Sequence, residues 1–388
     1  MSLLSNTIAS EEHGGGSFYN GVATQSVRFP IGEAHLQRTP GTSGNQKKWT
    51  SSFWIKRTSL GSAYLWSGAS YSGNDGIAAI YFSTDDSIHT YYDTSGANPL
   101  GKVGGGLYRD LSAWYHICWA VDAANTVHKI WVNGVLISTD TGKYPVDFDY
   151  GMNRATSLNK FGEAAWGNST QFEGYLADFY HLDGQYLEYD SFTEFKNGVL
   201  IPKETSGLTY GTNGFHLEFK ESGVGTGASD TIGADTANSI HLDSAVIAAD
   251  DCNMPDSPEN NFCTWNPLTA GAQTTFTEGN LKLATVWSAD LSGSASTFFP
   301  ESGKWYWELR VDAGASYPYI GITTQEKTNA TVNGGTNYNI AWLVGGTAAS
   351  VGSSLGTVTK ENIPSFADDD IMSFALDVDA RKIWVAEN

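Results

Sequence analysis

Apolar residues in this chain come in short runs separated by polar turn-formers, the spacing of strands. Trp49 to Arg57 is a dense run ending in charge. Tyr64-Leu65-Trp66 and Ile77 to Phe82 follow it, divided by Ser/Gly/Asn/Asp clusters that break structure. Trp114 to Val121 is almost continuously apolar, which predicts a strand at the centre of a sandwich. Val127 to Val132 runs into Asn133-Gly134 and resumes as Val135 to Ile137. Asn-Gly between two apolar runs predicts a tight hairpin, because both central residues must take positive φ. Phe172 to Tyr180 predicts a further strand, and no stretch in this region sustains a 3.6-residue period.

The remaining segments divide the chain. Residues 1–22 are rich in Ser, Gly and Asn, with a Gly14-Gly15-Gly16 run, and read as an N-terminal arm. Residues 206–264 are polar, with Gly223 to Gly227, an Asp/Ala/Ser run and then Pro255 and Pro258, and read as an extended linker with little core of its own. Strand signals return at Leu281 to Leu283, Trp305 to Val311, Tyr319 to Ile322, Ile340 to Val344, Ile371 to Leu376 and Lys382 to Val385. The pattern predicts an all-β chain of two sandwiches, over 23–205 and 265–388. Lys382-Ile383-Trp384-Val385 parallels Lys129-Ile130-Trp131-Val132, yet the turn and returning strand after the earlier copy have no counterpart. The second sandwich therefore reads as truncated, with an unpaired edge.

Composition narrows the partners. Acidic residues outnumber basic ones 42 to 22, a net charge of −20, which repels phosphate backbones and anionic lipid. Nucleic acid is not expected as a partner, nor is membrane insertion. The N-terminus has no basic and apolar leader pattern, so no signal peptide is read there. Of three cysteines, Cys118 sits in an apolar run; Cys252 and Cys263 are free thiols in a reducing compartment and a candidate pair in an oxidising one.

Four strings between Ser26 and Tyr180 carry a resemblance: Trp49 to Arg57, Trp114-Tyr115-His116, Lys129 to Gly134, and Phe172 to Asp178. In that order and spacing they resemble the laminin-G-like branch of the concanavalin A-like lectin/glucanase family, which implies a jelly-roll sandwich over 23–205. Asp256 to Phe262, Thr264 to Pro267, Gly303 to Glu308, Ile320 to Ile322 and Asp369 to Val385 resemble a SPRY domain with its lead-in. The stretch between them, including Asn197 to Lys203 and Tyr210 to Phe215, is similar to linkers in tail-fibre and virion structural proteins of marine, cyanophage-like bacteriophages.

That resemblance implies a non-enzymatic fibre or appendage subunit of a virion, assembled in the host cytoplasm. Its partners would be other virion proteins, further copies of itself (a trimer among the expected states) and host-surface glycan. A purely structural capsid or tail decoration protein is the alternative. A polysaccharide-degrading enzyme is disfavoured, because retaining hydrolysis needs two carboxylates on one face of a strand. Glu173 and Asp178 differ by an odd number of positions, Asp368-Asp369-Asp370 precedes a strand and reads as a turn, and Glu361 and Asp368 straddle Pro364.

Loop aromatics Tyr71, Tyr91, Tyr92, Tyr108 and Trp166 are candidate sugar platforms, whereas Trp54, Trp119, Trp131, Trp305 and Trp307 stand in strands and read as core. No cofactor is expected beyond Ca²⁺, for which Asp75, Asp85 and Asp86 are the candidate loop ligands. His116 and His128 lie on strands at wide spacing and read as structural.

Overall fold

The computed structural model describes residues 2–4, 18–70, 76–94, 103–137, 146–167, 170–285, 293–312, 319–323, 339–343, 349–351 and 367–387. The chain divides into two compact units, one of residues 12–261 and one of residues 1–11 with 262–388. Among the described residues every regular element is a strand or a short 3-10 turn. No helix there is long and apolar enough to cross a membrane.

In chain order, β1 (Ser2–Leu4) belongs to the second unit. The first unit opens with β2 (Val27–Phe29), β3 (His35–Arg38), β4 (Lys48–Arg57), β5 (Ala63–Ser70), β6 (Ile77–Phe82), β7 (Ile88–Asp93) and β8 (Val103–Gly105). It continues through β9 (Trp114–Asp122), β10 (Val127–Val132), β11 (Val135–Leu136), β12 (Ser157–Phe161) and β13 (Gly174–Asp183). The hairpin β14 (Thr193–Lys196) and β15 (Val199–Pro202) follows, then β16 (Phe215–Leu217) and β17 (Asp243–Ala245).

These strands build two antiparallel sheets. One has the order β11-β10-β9-β4-β13-β16, with β2 also paired to β13, and the other runs β17-β3-β12-β5-β6-β7-β8. Their inward side chains form one core, with Trp49, Phe53, Trp119 and Phe179 from the first sheet and Leu36, Trp66, Phe82, Tyr92 and Phe161 from the second. The result is an all-β sandwich consistent with a jelly roll. The Asn133-Gly134 turn forms as its sequence requires, with φ of 49° and 79° and Val132 opposite Val135.

Of the five tryptophans expected in the core, Trp119 and Trp131 are both buried, but on different faces. Trp119 lies between the sheets, edge-on to Trp49 at 5.4 Å, with its Nε1 donating to the Tyr92 hydroxyl at 2.9 Å. Trp131 faces outward and is covered by Tyr189 and Phe192 from the segment after β13. Trp119→Ala should cost about 3–5 kcal/mol, the range for aromatic truncation in a packed core. Urea melts of the variant check it, and a loss below about 1 kcal/mol contradicts this packing.

The polar segment after residue 206 also enters the core. Phe215, Leu217, Phe219, Ile232, Leu242, Ile247 and Cys252 all join the central cluster, while β16 pairs with β13 and β17 with β3. Its apolar residues are widely spaced, yet each lands on the sandwich.

The second unit contains β18 (Thr274–Thr277), β19 (Lys282–Thr285), β20 (Lys304–Arg310), β21 (Tyr319–Thr323), β22 (Asn339–Leu343), β23 (Ala349–Val351), β24 (Ile371–Asp377) and β25 (Lys382–Glu387). A sheet of order β18-β19-β1-β20-β24-β25 takes in β1 from the segment read as an arm. Trp307 stacks on Phe374 at 5.1 Å beside a small core of Leu309, Val311, Ile320 and Met372. Trp305, expected in the core, shares the strand face of Trp307 and Leu309 but is only half-buried, its Nε1 donating to the Ser302 carbonyl.

Candidate functional site

Side chains alternate across a strand, so the sheet β3-β12-β5-β6-β7 has an outer face as well as a core face. On β6, Ala78, Ile80 and Phe82 point into the core, while Ile77 and Ala79 join a separate outward cluster with Ala69, Ala165, Tyr64, Tyr91, Leu158 and Trp166. In register, Ser67 lies opposite Ala79 and Ala79 opposite Tyr91. Small residues in that row leave room for rings to lie along the sheet.

The rings form a connected array. Tyr64 stacks on Tyr81 at 5.1 Å and 24°, and meets the edge of Trp166 at 5.1 Å and 86°. Tyr91 lies 5.9 Å from Trp166 at 32°. Tyr64, Tyr91 and Trp166 are half-buried, so each keeps part of its ring open to solvent. Burial pushes the Tyr64 and Tyr81 phenols up, and burial together with Asp93 pushes Tyr91 up to about 12. All three hydroxyls therefore remain protonated and able to donate at neutral pH.

The loop carrying Trp166 is anchored to β5 and β12. Gly162 N–H donates to the Leu65 carbonyl, Ser67 Oγ donates to the Glu163 carbonyl at 3.2 Å, and Ala165 N–H donates back to Ser67 Oγ at 3.0 Å. The buried Glu163 carboxylate takes Lys160 Nζ at 2.7 Å, with His35 Nδ1 at 3.3 Å. This bracing holds an indole at the surface without the entropy cost of ordering a free loop on binding.

The fold brings Tyr91 and Trp166 together and keeps Tyr92 and Tyr108 apart from them. Tyr92 is a correction: as Tyr91's neighbour in β7 it faces the opposite way, fully buried as the acceptor for Trp119. Tyr108 packs edge-on to Tyr115 at 5.5 Å against the rim of the core, and shares no ring contact with the array. Tyr71 lies outside the described residues. Sequence reasoning missed Tyr64 and Tyr81 by assigning strand aromatics to the core; the parity of Tyr81 with Ala79 and against Phe82 is the signal that finds it, whereas Tyr64 opposes Tyr81 beside a register shift that parity along β5 does not show.

Of the calcium candidates, Asp85 and Asp86 are described. Asp86 Oδ1 accepts from Gly61 N–H at 2.7 Å and Arg57 at 3.1 Å, and its Oδ2 from Arg109 at 2.9 Å. Burial works to raise that carboxyl, but these donors outweigh it and hold it below the usual range. Two guanidiniums beside Asp86 oppose a divalent cation there, so the residues do not fit one. Asp85 is exposed and accepts from Ser87, and Asp75 lies outside the described residues. Among the described residues no three His, Cys, Asp or Glu side chains are grouped to hold a metal.

The odd spacing of Glu173 and Asp178 does not by itself set the faces they take. A bulge breaks the register between Ala177 and Tyr180, so parity along β13 does not carry past Asp178. Asp178 is buried at φ 48°, with its Oδ1 2.8 Å from His216 Nε2.

Comparison with known proteins matches residues 32–184 to the concanavalin A-like lectin/glucanases superfamily. No curated protein matches the chain. Among solved structures, a heptameric SAP-like pentraxin from Limulus polyphemus is 16% identical, with 44% of this chain and 80% of that one covered and a TM-score of 0.34. The CBM40 of a Ruminococcus gnavus IT-sialidase is 15% identical over 43% of this chain and 94% of that one, at a TM-score of 0.30. Domains LG4-5 of the mouse laminin alpha1 chain are 12% identical over 49% of each, at 0.31. The sandwich geometry and the matched span together show that this chain contains a concanavalin A-like lectin domain of the laminin-G type.

Proposed function

We propose that the chain is a non-enzymatic glycan-binding subunit, and that Tyr64, Tyr91 and Trp166 form the surface on which a sugar ring lies. The observation that carries this reading is the braced aromatic array on the outer face of a lectin-type sandwich. Half-exposed rings match the apolar face of a pyranose, and the protonated phenols and Asp93 at its margin offer hydrogen bonds to hydroxyls.

The setting we propose is a bacteriophage virion, with the chain as a fibre or appendage subunit that contacts glycan on the host surface. The support is the sequence pattern: a laminin-G-like module, a phage-type joining segment, and a SPRY-like run of strands from residue 265 onward.

Binding of the purified chain to a glycan array and to intact host cells tests the reading. Trp166→Ala should weaken binding about tenfold, the value of one stacked ring. Cell binding that is unchanged in both Trp166→Ala and Tyr91→Ala would rule the surface out.

A further inference from the structure

A second constellation lies on the outer face of the other sheet, in a groove of about 490 Å³ that the sequence does not announce. Its floor is a pair of rings. Tyr180 on β13 and His216 on β16 stand directly opposite in register and stack at 3.8 Å and 9°. The imidazole is held from both sides: Nε2 is 2.8 Å from Asp178 Oδ1 and Nδ1 is 3.3 Å from Thr236 Oγ1. Asp178 reaches this position because the bulge places it in the left-handed region, a backbone cost that clusters at functional sites.

The walls carry acceptors and donors side by side. Glu218 pairs with Lys220 at 2.8 Å, Glu204 is exposed, and the half-buried Tyr210 adds a phenol. A sugar hydroxyl both donates and accepts, so a carboxylate beside an ammonium satisfies it in both directions. A lining that mixes both signs favours a neutral polyol over an anion or an amine. The volume lies within the range of small-ligand sites.

We propose that this groove is a second sugar-binding site, taking a terminal neutral hexose or N-acetylhexosamine ring through hydrogen bonds instead of stacking. It lies on the sheet opposite the aromatic array and does not depend on that array binding glycan. With both sites occupied, one sandwich bridges two glycan ends, and affinity for a dense surface rises by effective concentration.

The test is NMR of the full chain, following Tyr and His ring signals during titration with galactose, glucose, mannose and N-acetylglucosamine. The expected result is a saturable shift of His216 and Tyr210 with at least one sugar, about tenfold weaker in Glu218→Gln and unchanged in Trp166→Ala. Glu204→Gln is a second, solvent-exposed variant whose folding is not at stake, and it too should weaken the shift. Ring signals of His216 and Tyr210 that stay fixed with all four sugars overturn the proposal. So does a shift that Trp166→Ala abolishes. If the groove responds while the Tyr64 and Tyr91 signals do not, the aromatic-array reading fails and the groove stands.

Discussion

Asp256→Ala should destabilise the chain by about 5 kcal/mol, at the top of the range given for the core truncation above. Asp256 and Lys56 are both fully buried, with the carboxylate Oδ2 2.9 Å from Nζ. Nζ also donates to Asn261 Oδ1 at 2.9 Å and lies 6.0 Å from the Tyr175 ring centre. The other carboxylate oxygen, Oδ1, accepts from Trp114 Nε1 at 3.0 Å. Removing the carboxylate leaves an ammonium in a dry interior without its counter-charge, at about 3–5 kcal/mol. It also strips the indole N–H of its acceptor, at a further ~1–3 kcal/mol. Replacing both charges, as in Lys56→Met with Asp256→Leu, should recover most of the loss, because the desolvation cost disappears with the pair. Urea unfolding followed by near-UV circular dichroism measures both variants. A single-variant loss below about 1 kcal/mol, or a double variant no better than the single, would show that the pair does not hold the segment around Asp256 on the sandwich as described.

That ion pair shows why part of the fold was hidden in the sequence. Asp256 and its neighbour in role, Asp251, which takes Arg28 Nε at 2.6 Å, lie more than 190 residues from their partners. Read locally, the segment is acidic, proline-punctuated and poor in apolar residues, the signature of a linker. What makes it structural is long-range pairing, which no local window contains. The strands were legible for the converse reason: alternation, apolar runs and the Asn133-Gly134 turn are local rules with local consequences. The site was half legible. Tyr91 and Trp166 were found as loop aromatics, but Tyr92 was placed with them although successive strand residues face apart. Tyr64 and Tyr81 were lost to the rule that strand aromatics are core. The groove at His216 was invisible, since a bulge at Asp178 changes which residues share a face.

Acid should loosen the sandwich well before its carboxylates titrate, by about 6 kcal/mol between neutral pH and pH 5. His116, His128 and His181 are buried in the sheet β10-β9-β4-β13, and burial pushes each down to about 3; Arg38 adds to the effect on His181. Neutral groups lie against each ring: Ser52 Oγ at 2.8 Å from His116, Thr90 Oγ1 at 3.5 Å from His128, and Ser51 Oγ and Asn153 Oδ1, both at 2.9 Å, from His181. In the unfolded chain these rings titrate near 6.5. Their contribution to stability is therefore complete above that value and is lost as pH falls toward 3, because the unfolded state takes up protons that the folded state refuses. Each ring shifts the balance by about 1.4 kcal/mol per pH unit, or about 2 kcal/mol at pH 5. Asp183 works in the opposite sense, since burial raises its folded pKa and acid then favours the folded form; it is one group against three. Against a typical total of about 5–15 kcal/mol, such a loss brings the unit close to unfolding near pH 5. Urea denaturation at pH 7.5 and 5.0 measures it. His116→Gln should flatten the pH slope by about one proton, even where its own stability is lower, and a mere packing role would leave that slope untouched. Equal stability at the two pH values would mean that the buried rings reach solvent when they protonate, and the acid sensitivity would have to be abandoned.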